Sequence, residues 1–153
     1  LLTTGFIFVA SIQKMHQMKK TISAIAFGFT LVTGLLLVFI GARFFLVPYA
    51  AELAFGIQTP TGNDYSFHYI KGIRDMAVGL AILAMLITRA QRGLGILLLT
   101  ISIVPVTDFL IVLSTPGYLT ERLYPHLTAV VFGLVLGAYY LFTSRKSSSN
   151  VAI

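Results

Sequence analysis

Five residues have the chemistry of a buried polar site yet stand inside or beside apolar stretches: Arg43, Arg74, Asp75, Asp108 and His126. An arginine presents a fixed fork of donors to a carboxylate or carbonyl oxygen. An aspartate or histidine can accept or return a proton. The segment "KGIRDMAVGL" at 71–80 poses the question most sharply, because Arg74 and Asp75 open a run that is otherwise apolar. Such groups either neutralise one another or wait for a polar ligand. A second set, Glu52, Tyr65, His68 and Tyr69, falls in the long connection 48–69 and forms a candidate lid over the first. Its aromatic rings suit an interfacial role equally well.

Other chemistries find no support. The three histidines, His16, His68 and His126, lie far apart, with no i,i+4 pair, and cysteine is absent. No metal site is therefore expected. No nucleophile elbow, phosphate loop or dinucleotide fingerprint occurs, and no cofactor is expected.

The elements that must position these residues are set by composition. The chain has 153 residues, 57% hydrophobic and 10% charged, with a mean hydropathy of +0.90. Soluble domains have about 25% charged residues, so the lipid bilayer is the expected solvent. The formal charge of +6 does not imply nucleic acid, because the basic residues sit at the ends of apolar runs rather than in a stripe. Helices are expected at about 22–47, 70–88, 93–114 and 126–142. The second reaches the roughly 17–25 residues a crossing needs only by including Arg74 and Asp75. The predicted fold is all-α: a four-helix transmembrane bundle forming a single domain over 18–146, with a flexible tail at 147–153. "MKKTISAIAF" at Met18 reads as a translation start, which makes 1–17 an extension or an interfacial stretch. A cleaved signal peptide fits less well, because Ile40 stands where a small residue is needed.

Counting basic residues orients the bundle. Lys14, Lys19 and Lys20, then Arg89 and Arg92, then Arg145 and Lys146 share one side in a four-helix arrangement. The positive-inside rule makes that side cytoplasmic, with both termini in, as for a protein of a bacterial inner membrane. All five acids then lie in the outer half. Arg43 sits roughly 7 Å below its helix end at Pro48, and Asp108 roughly 9 Å below its own. Arg74, Asp75 and His126 fall at similar depth. Lys71 is expected outside this layer, snorkelling to the interface. Gly72, Asp75 and Gly79 share one stripe, and His126, Ala129, Gly133 and Gly137 another; both suit close helix packing, within the chain or in a homo- or hetero-oligomer. Pro105 leaves a carbonyl unbonded near Asp108, as helices bent around polar pockets often do.

The segments "GARFFLVP" at 41–48, "GIRDMAVGLAIL" at 72–83, "PVTDFLIVL" at 105–113 and "HLTAVVFGLVLGAYYLF" at 126–142 resemble the small four-helix membrane family known as domain of unknown function 4267. The resemblance covers about residues 20–143 and extends in general shape to DoxX-like proteins. It implies the architecture and no activity.

Two functions follow. In one, the charge cluster fixes helix register in an accessory or scaffold protein. In the other, a membrane enzyme or binder takes a small lipophilic molecule, quinone-, terpenoid- or polyketide-like, with Arg43 and Arg74 gripping an oxygen. There Asp75, Asp108 or His126 would move a proton. A proton-coupled transporter fits less well, since no acid lies in the inner half.

Overall fold

The computed structural model describes the backbone of residues 2–60, 62 and 64–149, and the side chains of 11–60, 62 and 64–144. Among these residues every regular element is helical: α1 (Leu2–Leu46), α2 (Pro48–Phe55), α3 (Ser66–Ile87), α4 (Gln91–Ile101), α5 (Ile103–Ser114) and α6 (Tyr124–Ser149). A single 3-10 turn, Thr120–Arg122, precedes α6. The chain is all-α, as its sequence predicts.

Its surface is inverted relative to a water-soluble protein. Leu46, Phe67, Ile87 and Phe142 point outward, while Thr30, Glu52, His68, Asp75, Ser102 and His126 are buried. Water would penalise that arrangement and hydrocarbon would not. Three stretches, Ser11–Leu46, Gln91–Ser114 and Thr120–Ser144, are long and apolar enough to cross a bilayer. α3 spans 22 residues, but it carries Lys71, Arg74 and Asp75 and is not among the three.

Several boundaries differ from expectation, each for a local reason. α1 runs unbroken from Leu2, so no helix boundary falls at Met18; no glycine or proline interrupts residues 6–27. The helix expected at 93–114 is divided at Ser102. Pro105 has no N–H for the carbonyl of Ile101, and the Ser102 hydroxyl donates to the Leu98 carbonyl at 2.7 Å, competing with the backbone ladder. α6 extends to Ser149, so part of the expected tail is helical, while 150–153 lie outside the described residues. The connection 48–69 contains a helix of its own, α2, with Pro48 in its first turn. α2 stops at Gly56, which adopts φ 105°. A Cβ there would also lie 2.8 Å from Cβ of Arg122, so glycine is required on two counts.

α3 begins at Ser66 rather than 70 because Asp64 accepts from the Ser66 N–H at 2.9 Å and from its hydroxyl at 2.6 Å. These bonds, the hydroxyl's first, hold the Asp64 carboxyl below its ordinary 3.8. A depressed folded value means the contribution is present above the unfolded value and is lost as pH falls through the folded one. Hydrogen exchange at the Ser66 amide should therefore be protected at neutral pH and lose that protection below pH 3.8. Asp64→Asn should show no such acid step.

Two pairings build the bundle. α1 lies along α3 with glycine facing glycine: a Cβ on Gly41 would come 2.5 Å from the Gly72 carbonyl oxygen, and one on Gly79 would come 2.7 Å from that of Gly34. α4 lies along α6 in the same manner, with Gly95 against the Gly137 carbonyl at 3.0 Å. The small-residue stripes Gly72/Gly79 and Gly133/Gly137 thus face α1 and α4 of the same chain. Ala26, Ile82, Leu86, Leu94, Leu98, Leu136 and Tyr140 close one half of the bundle as its core. That core gathers the middle of α1, the last turns of α3, α4 and the later part of α6.

Candidate functional site

The half of the bundle beyond that core is hollow. A cavity of about 810 Å³ lies among α1, α3, α5 and α6. Its apolar part is walled by residues such as Phe29, Leu37, Ile82 and Phe132. Arg43, Lys71, Arg74, Asp75, Asp108, Glu121 and His126 supply its ionisable groups. α2 contributes Ala51, Ala54 and Phe55 to the same lining. It is tied in place from the far side of the bundle. The Arg122 guanidinium donates to the Ala54 carbonyl at 3.3 Å, and His126 Nε2 donates to that of Phe55 at 3.0 Å.

The wall between α1 and α6 is incomplete. These helices meet where Phe29 and Phe132 pack with ring centroids 5.1 Å apart and where Thr30 and Tyr140 hydrogen-bond at 3.1 Å. Farther along α1, Val32 and Leu36 line the cavity yet are 52% and 51% exposed. The cavity is partly open to the surroundings of the bundle.

All five residues singled out from the sequence reach this one cavity. Their bonding partners differ from one residue to the next. Asp75 is buried and accepts from Lys71 Nζ at 2.6 Å, with Arg74 Nε more distant at 3.8 Å. Lys71 thus belongs to the cluster and does not snorkel. Its ammonium lies 4.9 Å from the ring centre of Phe44 and 4.8 Å from that of Phe55, which stabilises the cation from two faces. The i,i+4 spacing of Lys71 and Asp75 was a legible signal for this pair. Arg74 is left half exposed, because its own neighbour is taken.

Arg43 and Asp108 are different. Among the described residues neither side chain makes a hydrogen bond or ion pair. Both line the cavity. Lys71, His126, Asp75 and Arg74 are all near enough to act on the Asp108 charge, but none is bonded to it. His126 is engaged by Phe55, whose ring also packs edge-on to the imidazole at 4.6 Å. It clasps α6 to α2. Glu121, which reaches the cavity from the turn before α6, escaped sequence reasoning because nothing in a loop sequence says which way it folds.

The candidate lid divides into two parts. Glu52 is 1% exposed. Its Oε1 accepts from both the N–H and the hydroxyl of Thr59, and its Oε2 lies 3.1 Å from His68 Nε2. That last contact is an ion-pair approach without hydrogen-bond alignment, and His68 Nδ1 has no hydrogen-bond partner among the described residues. Glu52 and His68 therefore pin α2 and the following loop to α3. Tyr65 packs edge-on to His68 and Tyr69 stacks on Phe45; neither lines the cavity. Among the described residues no three His, Asp or Glu side chains are grouped to hold a metal ion.

A family model described as "Domain of unknown function (DUF4267)" matches residues 34–140. This chain belongs to that family. The DUF4267 region runs from Gly34, at the first glycine contact between α1 and α3, to Tyr140, the partner of Thr30. It contains every ionisable residue of the cavity. No curated protein and no solved structure matches the chain. The DUF4267 assignment names no activity, so the chemistry rests on the cavity.

Proposed function

We propose that this protein is a multi-pass integral membrane protein of four crossings, α3 being the fourth. Both termini face the cytoplasm, and the cavity binds a small lipophilic molecule. The observation that carries this reading is that Arg43 and Asp108 reach a largely apolar cavity with no hydrogen bond or ion pair among the described residues. Both side chains are half-buried, and charges within a membrane-spanning bundle that serve structure alone generally pair with one another. The volume falls within the roughly 300–1,000 Å³ typical of small-molecule sites. The opening between α1 and α6 offers such a molecule a route from the bilayer.

Native mass spectrometry and lipid extraction of the purified protein should reveal a small molecule in stoichiometric amount. Ala129→Phe, which fills the cavity, should release it while leaving the melting temperature nearly unchanged. Recovery of bulk phospholipid alone would defeat the reading.

The accessory or scaffold role draws support from the Lys71–Asp75 and Glu52–His68 pairs, which brace helices against one another. It would be preferred if a second protein co-purified in fixed ratio with a cavity found empty.

The four-crossing topology has a clean test, because the chain has no cysteine. Gln58→Cys should react with a membrane-impermeant maleimide on intact cells. Gln91→Cys should react only after permeabilisation. Labelling of both from one side would remove α3 as a crossing.

A further inference from the structure

Resting on the ligand-binding reading above, the charge distribution of the cavity assigns a class to the molecule: we infer that it is an uncharged lipophile whose head both accepts and donates hydrogen bonds. The lining carries three cations, Arg43, Lys71 and Arg74, and three carboxylates, Asp75, Asp108 and Glu121. Formal charge on the wall therefore cancels, with His126 neutral. A carboxylate or phosphate head would gain from Arg43 and be opposed by Asp108; an ammonium head would meet the reverse. Neither ion has a surplus of opposite charge to offset the loss of its hydration.

An uncharged oxygen-bearing head escapes that conflict. Among the described residues the Arg43 donors have no partner, and neither do the acceptors of the Asp108 carboxylate. A head with more than one polar atom can meet both, one oxygen accepting from the guanidinium and a hydroxyl donating to the carboxylate. Lys71 does not compete for it, being held by Asp75 and by the rings of Phe44 and Phe55. The apolar wall from Phe29 to Phe132 then takes the hydrocarbon part.

The test compares three probes with the same twelve-carbon chain: dodecanol, dodecanoate and dodecyltrimethylammonium. Binding of each is measured to the full chain in nanodiscs. Dodecanol should bind at least tenfold more tightly than either ion. The charge argument also fixes the direction of two variant effects. Asp108→Asn leaves the wall net positive and should shift preference toward dodecanoate. Arg43→Gln leaves it net negative and should shift preference toward the ammonium. Dodecanoate or the ammonium binding the wild-type protein as tightly as dodecanol would overturn the uncharged-head inference while leaving the binding cavity intact. So would the two variants shifting preference in the same direction. Failure of all three probes, with only bulk phospholipid extracted, would remove the binding reading itself.

Discussion

Gly41→Val should abolish the folded bundle or reduce its yield in detergent to a small fraction of wild type. Even the first added atom, Cβ, would lie 2.5 Å from the Gly72 carbonyl oxygen and 2.7 Å from the Met76 amide nitrogen. Both are backbone atoms of a helix and cannot swing aside. α1 and α3 would have to separate along a seam that also includes Gly34 and Gly79. Overpacking a well-packed interior costs about 1–3 kcal/mol, and a forced helix separation costs more because neighbouring contacts open with it. Gly28→Val supplies the control. Nothing lies within 4 Å of a Cβ at that position, so the same substitution on the same helix should leave thermal unfolding almost unchanged. Equal losses at the two positions would show that α1 and α3 do not pack as described.

Glu52→Ala should be the most damaging polar substitution, destabilising the protein by about 1–3 kcal/mol, as leaving buried polar groups without their partner does. It leaves the Thr59 amide and hydroxyl without their acceptor and His68 without its carboxylate, all close to a fully buried position. Glu52→Gln keeps an acceptor for Thr59 and should cost clearly less. The pair Glu52→Gln and His68→Gln should be non-additive in thermal unfolding, with a coupling of about 0.5–3 kcal/mol. Additive losses would mean that the two residues stabilise the chain independently and that α2 is not pinned through them.

Much of the site was legible because a charged residue in an apolar helix has few options. Arg43, Arg74, Asp75, Asp108 and His126 stand out by type alone, and helix geometry places them at comparable depth. Their convergence on one cavity follows from that. Pairing was legible only as a spacing and not as an outcome. Lys71 lies one helical turn from Asp75, but so do several other groups from their neighbours. Only the placement of Phe44 and Phe55 around its ammonium makes the inward rotamer the stable one. The lid reading failed to anticipate the burial of Glu52 for a similar reason. A glutamate in a connecting segment reads as solvated unless one knows that Thr59 and His68 come to meet it.

By itself the sequence determined the helical class, the family, the presence of stretches apolar enough to cross a bilayer, and five of the polar residues that reach the cavity. Each of these depends on composition, or on spacing along one helix, and so is local. The tertiary structure decided what no local rule reaches. α1 and α6 part beyond Phe132, α2 folds across the space they leave, and Asp75 is satisfied there while Asp108 is not. Whether a charge finds a partner depends on where separate helices cross. Those crossings are fixed by backbone approaches at Gly41, Gly72, Gly95 and Gly137. Residues far apart along the chain jointly set the geometry, and the cavity is what remains between them.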